Sequence, residues 1–134
     1  MNKNYSTLID LLNHPGDAVG AIDRSSLSYE GLRHLVEYTK EEFNAHGIGA
    51  NDRVAIVLPN GPSMATSFIS VACTATSAPL NPAYTDSEFE FYLTDLNVKA
   101  VVLERGGKSP ARQVAERLGI DVVELVDSPD FPAG

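Results

Sequence analysis

The stretch APLNPAYTDSEFEFYL, Ala78 to Leu93, ends an apolar strand and starts a helix within a few residues. Ser77 to Leu80 reads as a short strand, and Asn81-Pro82-Ala83-Tyr84 as the turn at its carboxyl end. Thr85 takes the N-cap position, and Glu88, three residues on, completes a capping box. Tyr84 before the cap and Phe89 after it are spaced for a hydrophobic staple. Phe89, Tyr92, Leu93 and Leu96 form the buried stripe, while Asp86 and Glu88 favour the positive end of the helix. A strand that hands over so abruptly to a docked helix is one unit of a layered α/β fold.

The neighbouring segments repeat this plan. VAIVL, Val54 to Leu58, is a continuous apolar run, the mark of a strand buried on both faces. Pro59-Asn60-Gly61-Pro62 ends it, and Pro62 suits the first position of a helix running to about Ala75. That helix is apolar or small nearly all round and is expected to be largely buried. VKAVVLE (Val98 to Glu104), a helix from Ser109 to Leu118 stopped by Gly119, and DVVELV (Asp121 to Val126) follow. Strand and helix alternate, which predicts an α/β fold, a mainly parallel sheet layered with helices.

Upstream, Leu8, Ile9, Leu11 and Leu12 form a short amphipathic turn. AVGAID and SLSY read as two short strands joined by Asp23-Arg24-Ser25. Ser28 caps a helix whose stripe is Leu32, Leu35, Val36, Thr39 and Phe43, with Arg33 and Glu37 spaced to pair and Gly47 as its left-handed stop. Gly49-Ala50-Asn51-Asp52 is a turn in which Asn51 is expected to take a positive φ.

The composition narrows the function. The 134 residues are enough for one domain, and 43% hydrophobic with 21% charged residues describes a globular chain. A net charge of −8 argues against nucleic acid as partner. No run approaches about 18 uninterrupted apolar residues, so no membrane span is expected. The N-terminal MNKNYSTLIDLLNHPG lacks a leader's apolar core, and one cysteine fits a reducing compartment; the expected location is the cytoplasm. Cys73 is expected in the core. His14, His34 and His46 are far apart and lack ligand spacing, so no metal site is expected. ERGGKS, Glu104 to Ser109, ends like a phosphate-binding loop, but Val102 stands where that loop's first glycine is needed; Ser109 reads instead as an N-cap. Asp86, Glu88, Glu90 and Asp95 read as a solvated helix side. No catalytic residue is visible.

LSYEGLRHL, GIGANDRVAIVLPNGP, SAPLNPAYTDSEFEFYLTDLN and VKAVVL, in that order over Leu27 to Leu103, resemble the N-terminal part of the adenylate-forming acyl-CoA synthetases. The APLNPAYTDSEFEFYLTDLN segment is most similar to the oxalate–CoA ligase branch. Asn51 departs from the family's usual glycine, and CTATSAPL from its Arg-Ala-Gly-Ala. The resemblance implies an enzyme that activates a small carboxylic acid with Mg-ATP to an acyl-adenylate and transfers the acyl group to CoA. It implies residues 1–126 as the N-terminal α/β subdomain and 127–134 as a linker to the remainder. The family's Pro-Lys-Gly phosphate loop and catalytic lysine do not occur in this sequence, so ATP, Mg and CoA belong to a longer enzyme. The resemblance places Asn81, Pro82 and Ala83, and Arg112 in the segment Arg105 to Arg112, on the CoA side. An uncovered face would lead the chain alone to form a homodimer. Two rival readings are a subdomain of a carrier-protein-loading adenylation enzyme and a stand-alone, non-catalytic binding or scaffold module.

Overall fold

The computed structural model describes residues 6–134; residues 1–5, part of the N-terminus expected to carry no leader, lie outside it. A 3-10 turn at Ile9–Leu12 leads into an antiparallel pair, β1 (Asp17–Val19) and β2 (Leu27–Ser28), and then α1 (Tyr29–Ala45). Four parallel strands follow, β3 (Arg53–Val57), β4 (Thr76–Pro79), β5 (Ala100–Glu104) and β6 (Asp121–Leu125), in the spatial order β4-β3-β5-β6. The crossovers are α2 (Pro62–Ala72), α3 (Asp86–Asp95) and α4 (Pro110–Leu118). The layered α/β fold expected from the sequence is the fold observed.

Side chains of a strand alternate between faces, and β3 and β5 divide accordingly. Ala55, Val57, Val101 and Leu103 face α3 and α4, where they pack with Phe89, Leu93 and Val114. Val54, Ile56, Ala100 and Val102 face the other layer and meet Phe43, Ile48 and Val71 of α1, its following loop and α2. A third cluster, Leu12, Leu32 and Val36, seats the N-terminal turn against α1.

The local signals of the opening stretch hold atom by atom. The Thr85 side chain accepts from the Glu88 N–H, and Glu88 Oε2 accepts from the Thr85 N–H at 2.8 Å. Tyr84 meets Phe89 edge-on with ring centroids 5.7 Å apart. Ser28 caps α1, Ser109 caps α4, and Gly47 and Gly119 take left-handed conformations at φ 72° and 70°.

Three expectations are corrected. Asn51 does not take a positive φ; among asparagines Asn97 does, at 48°, where it ends α3. The turn at 49–52 is closed instead by Asp52, whose N–H donates to Gly49 O at 3.0 Å and whose carboxylate accepts from Gly49 N–H at 2.8 Å. Arg33 does not pair with Glu37; it reaches back 2.7 Å to the Leu12 carbonyl and ties the N-terminal turn to α1. Nor is α2 buried mainly through its apolar residues. Thr66, Ser67, Ser70 and Val71 are buried, while Ala65 is exposed and Phe68 is 42% exposed. Small side chains let the helix approach its neighbours closely. The Thr66 hydroxyl, and that of Thr74 just past the end of the helix, donate to α2 carbonyls one turn back.

Residues 127–134 lie against the β1–β2 hairpin. Arg24 pairs with Asp127 at 3.0 Å and donates to the carbonyls of Ser128, Phe131 and Pro132. Asp127 also accepts from Ser63 Oγ at 2.8 Å, at the start of α2, and the Ala133 N–H donates to Ser25 O.

Thr85→Ala is expected to cost about 1 kcal/mol through the lost cap, and Phe89→Ala, at a fully buried ring, roughly 3–5 kcal/mol. Urea denaturation measures both; equal, near-zero losses would mean that α3 is not docked. Acid should also destabilise the fold. Asp52, Glu88 and Asp127 are held below the usual carboxylate range, chiefly by hydrogen bonds from the Gly49 N–H, the Thr85 N–H and the Ser63 hydroxyl. A folded pKa below the unfolded one stabilises above the unfolded value, near about 4, and that contribution disappears as pH falls through the folded value. Urea midpoints should thus be flat from neutrality to mild acid and fall below it. Asp127→Asn should lower the midpoint at pH 7 and flatten part of the acid decline.

Candidate functional site

All four strands of the main sheet are parallel, so the connections leaving their carboxyl ends share one edge. The chain steps outward from β3 to β4, then crosses back to β5 and on to β6. This reversal sends the connection after β3 to one layer and the connection after β5 to the other. A crevice at such a point is the usual ligand position in open parallel sheets. Here that point falls between the connections that begin at Pro59 and at Arg105. Sequence reading missed it, because strand order leaves no local signal.

Asn81, Pro82 and Ala83 stand exposed on the same edge, after β4. Asn81 is occupied in shaping the turn: its Oδ1 accepts from the Ala83 N–H at 2.9 Å, and its carbonyl from the Tyr84 N–H at 3.2 Å. Tyr84 stacks on Tyr92 with centroids 4.9 Å apart, which braces the turn against α3. The Tyr92 side chain stacked beside it raises the Tyr84 phenol above its usual range.

Arg112 stands in the first turn of α4. Its guanidinium donates to Glu124 Oε1 at 2.9 Å and to the Glu104 carbonyl at 3.2 Å. The other Glu124 oxygen accepts from Arg105 Nε at 3.2 Å. One carboxylate thus holds two guanidinium groups side by side, with exposed Lys108 in the loop between them in sequence. Strand β4 and its turn lie on the far side of β3 from this cluster, so the four sequence-predicted residues share an edge without forming one contact group.

The loop itself does not cradle phosphate. The Arg105 N–H donates to Leu125 O, the Gly107 N–H to Glu104 O and the Arg112 N–H to Ser109 O, so these donors are already used. The Ser109 hydroxyl caps α4. These three N–H groups are therefore not free to wrap a phosphate. Among the described residues no group of three or more His, Cys, Asp or Glu side chains is placed to hold a metal. His14, His34 and His46 are all exposed. Asp86 and Glu90 do more than face solvent: both pair with Arg117 of α4, at 2.9 and 3.3 Å, and so link α3 to α4. Among the described residues no helix is long and apolar enough to cross a membrane.

The AMP-binding enzyme family matches residues 11–133. The oxalate–CoA ligase of Arabidopsis thaliana is 35% identical over 108 residues, 79% of this chain and 21% of that protein. The oxalate–CoA ligase of Saccharomyces cerevisiae is 34% identical over 112 residues, 75% of this chain and 21% of that protein. The fold superposes on the crystal structure of apo MatB from Rhodopseudomonas palustris with a TM-score of 0.75 at 25% identity, covering 89% of this chain and 24% of that one. The chain belongs to the AMP-binding enzyme family, and its relatives include oxalate–CoA ligases. It spans about a fifth of the length of the curated relatives it matches.

Cys73 sits half-buried beside the Leu12, Leu32 and Val36 cluster, and burial pushes its thiol above the usual range. It is expected to react with iodoacetamide at pH 7.5 well below the rate of a free cysteine and to reach that rate only in urea. Equal rates in buffer and urea would place the thiol in solvent.

Proposed function

We propose that this chain is the N-terminal α/β part, residues 1–126 with 127–134 leading onward, of an ATP-dependent acid–CoA ligase. That enzyme forms an acyl-adenylate from a small carboxylic acid, then the acyl-CoA, in the cytoplasm, with Mg-ATP and CoA as its cofactors. The observation that carries the reading is the family match over residues 11–133, joined to oxalate–CoA ligase relatives at 34–35% identity. The part of the reaction assigned to these residues is docking of CoA, not catalysis. Arg105 and Arg112, held together by Glu124, offer paired donors for a CoA phosphate, and the exposed turn Asn81-Pro82-Ala83 borders the same edge. Adenylation itself needs the phosphate loop and lysine that this sequence lacks.

Calorimetry on the 134-residue chain should show no saturable micromolar binding of ATP or AMP. CoA should bind weakly, with an affinity that falls as salt rises and about tenfold lower in Arg105→Ala/Arg112→Ala, since charge-assisted phosphate contacts are screened and additive in this range. Tight ATP binding would overturn the assignment of chemistry to other polypeptide. CoA binding indifferent to the double variant would remove the arginine pair from the site.

A further inference from the structure

The two arginines on the carboxyl edge are held differently. Both terminal nitrogens of Arg112 are engaged, one by Glu124 Oε1 at 2.9 Å and the other by the Glu104 carbonyl at 3.2 Å, and its side chain is 26% exposed. Arg105 is bound through Nε, which donates to Glu124 Oε2 at 3.2 Å. Among the described residues its two terminal nitrogens have no partner, and its side chain is 64% exposed. The backbone beneath is fixed as well: the Arg105 N–H donates to Leu125 O, and Glu104 pairs with Leu125 across β5 and β6. Strand alternation brings Glu124 here. Val123 and Leu125 pack on the Val102 side of the sheet, so Glu124, between them, points to the layer of α4.

We propose that Arg105 is the arm that meets a CoA phosphate at this edge, and that Glu124, anchored by Arg112, is a positioning residue that holds the arm in place; CoA as the ligand rests on the ligase reading. A free arginine side chain loses much rotamer freedom when it binds an anion. A carboxylate on Nε removes that freedom beforehand. It leaves the two-pronged end of Arg105 open to solvent, the part that makes two parallel bonds to a phosphate. The same end of Arg112 is already committed to Glu124 and to the Glu104 carbonyl. The charge balance permits an anion here. Residues 104–112 with Glu124 carry three cations, Arg105, Lys108 and Arg112, against two carboxylates, Glu104 and Glu124, in a chain whose net charge is −8. Glu124 thus opposes the ligand by its charge and helps it by its geometry, and the two effects predict opposite signs on its neutralisation.

The test is an NMR titration of the 134-residue chain, isotope-labelled at arginine, with CoA at low salt. Before CoA is added, the Arg105 Nε–H should give a resolved, rigid signal that Glu124→Gln averages away. Glu124→Gln removes a negative charge, yet it should weaken CoA binding about three- to tenfold, the cost of ordering one long side chain on binding. Arg112→Lys keeps its charge but not its fork, and should weaken binding comparably. The double variant Glu124→Gln/Arg112→Lys should lose no more than either alone, because both act through Arg105. In an Arg105→Ala background, Glu124→Gln should bring no further loss. Urea midpoints should stay near that of the unaltered chain, as expected of exposed ion pairs; a large fall would assign Glu124 to the fold and overturn the proposal. So would tighter CoA binding in Glu124→Gln, a loss of equal size in the Arg105→Ala background, or an averaged Arg105 signal in the unaltered chain. The ligase reading fails separately: no saturable CoA binding by a chain whose Arg105 is rigid would refute CoA as the ligand while the positioning by Glu124 stands.

Discussion

Hydrogen bonding of β3 to β4 on one side and β5 on the other leaves Val54 to Val57 with neither a free edge nor a free face. Much else follows from that. A strand sealed on both faces needs a helical layer above and below, which α1–α2 and α3–α4 supply. It needs crossovers on both sides, which forces the chain to reverse between β4 and β5. Parallel pairing gathers the turns after β3, β4 and β5 on one edge, and the reversal sends their crossovers to opposite layers. The CoA-facing edge proposed here is thus a by-product of burying four residues in the middle of a parallel sheet.

The helices are set by different means. Helix α3 is positioned at its start by the Thr85–Glu88 box and the Tyr84–Phe89 contact, then clamped to α4 by Arg117. Helix α2 has no side-chain cap and begins on Pro62 after Gly61. Its inward face is hydroxyl-bearing, and the Ser70 hydroxyl is buried without a partner. An unsatisfied buried hydroxyl costs on the order of 1–3 kcal/mol. Ser63 and Asp127 tie the start of α2 to the tail, so the least self-sufficient helix is the one fastened from outside.

Features encoded within a few residues of one another were legible in the sequence. The apolar runs at Val54 and Val101, the caps at Ser28, Thr85 and Ser109, and the stops at Gly47 and Gly119 all depend on local backbone chemistry, and all stand in the structure. Asn51 and Asn97 show the limit: both are fit for a left-handed turn, and only the hydrogen bonding of Asp52 decides that the first does not use it. Arg33 had a partner at the right helical spacing and chose a carbonyl 21 residues away. The candidate site suffered more. Arg112 was named through the resemblance alone, and Glu124, which holds its guanidinium, sits on the next strand and carries no signal in sequence.

The two borders of the main sheet are chemically unlike. Strand β4 ends in Pro79, whose nitrogen has no hydrogen to offer, and it is four residues long. Strand β6 is five residues long, without proline, and only its β5 side is paired. An extended segment approaching the molecule therefore finds a ladder of backbone donors and acceptors on one border and a blunted one on the other.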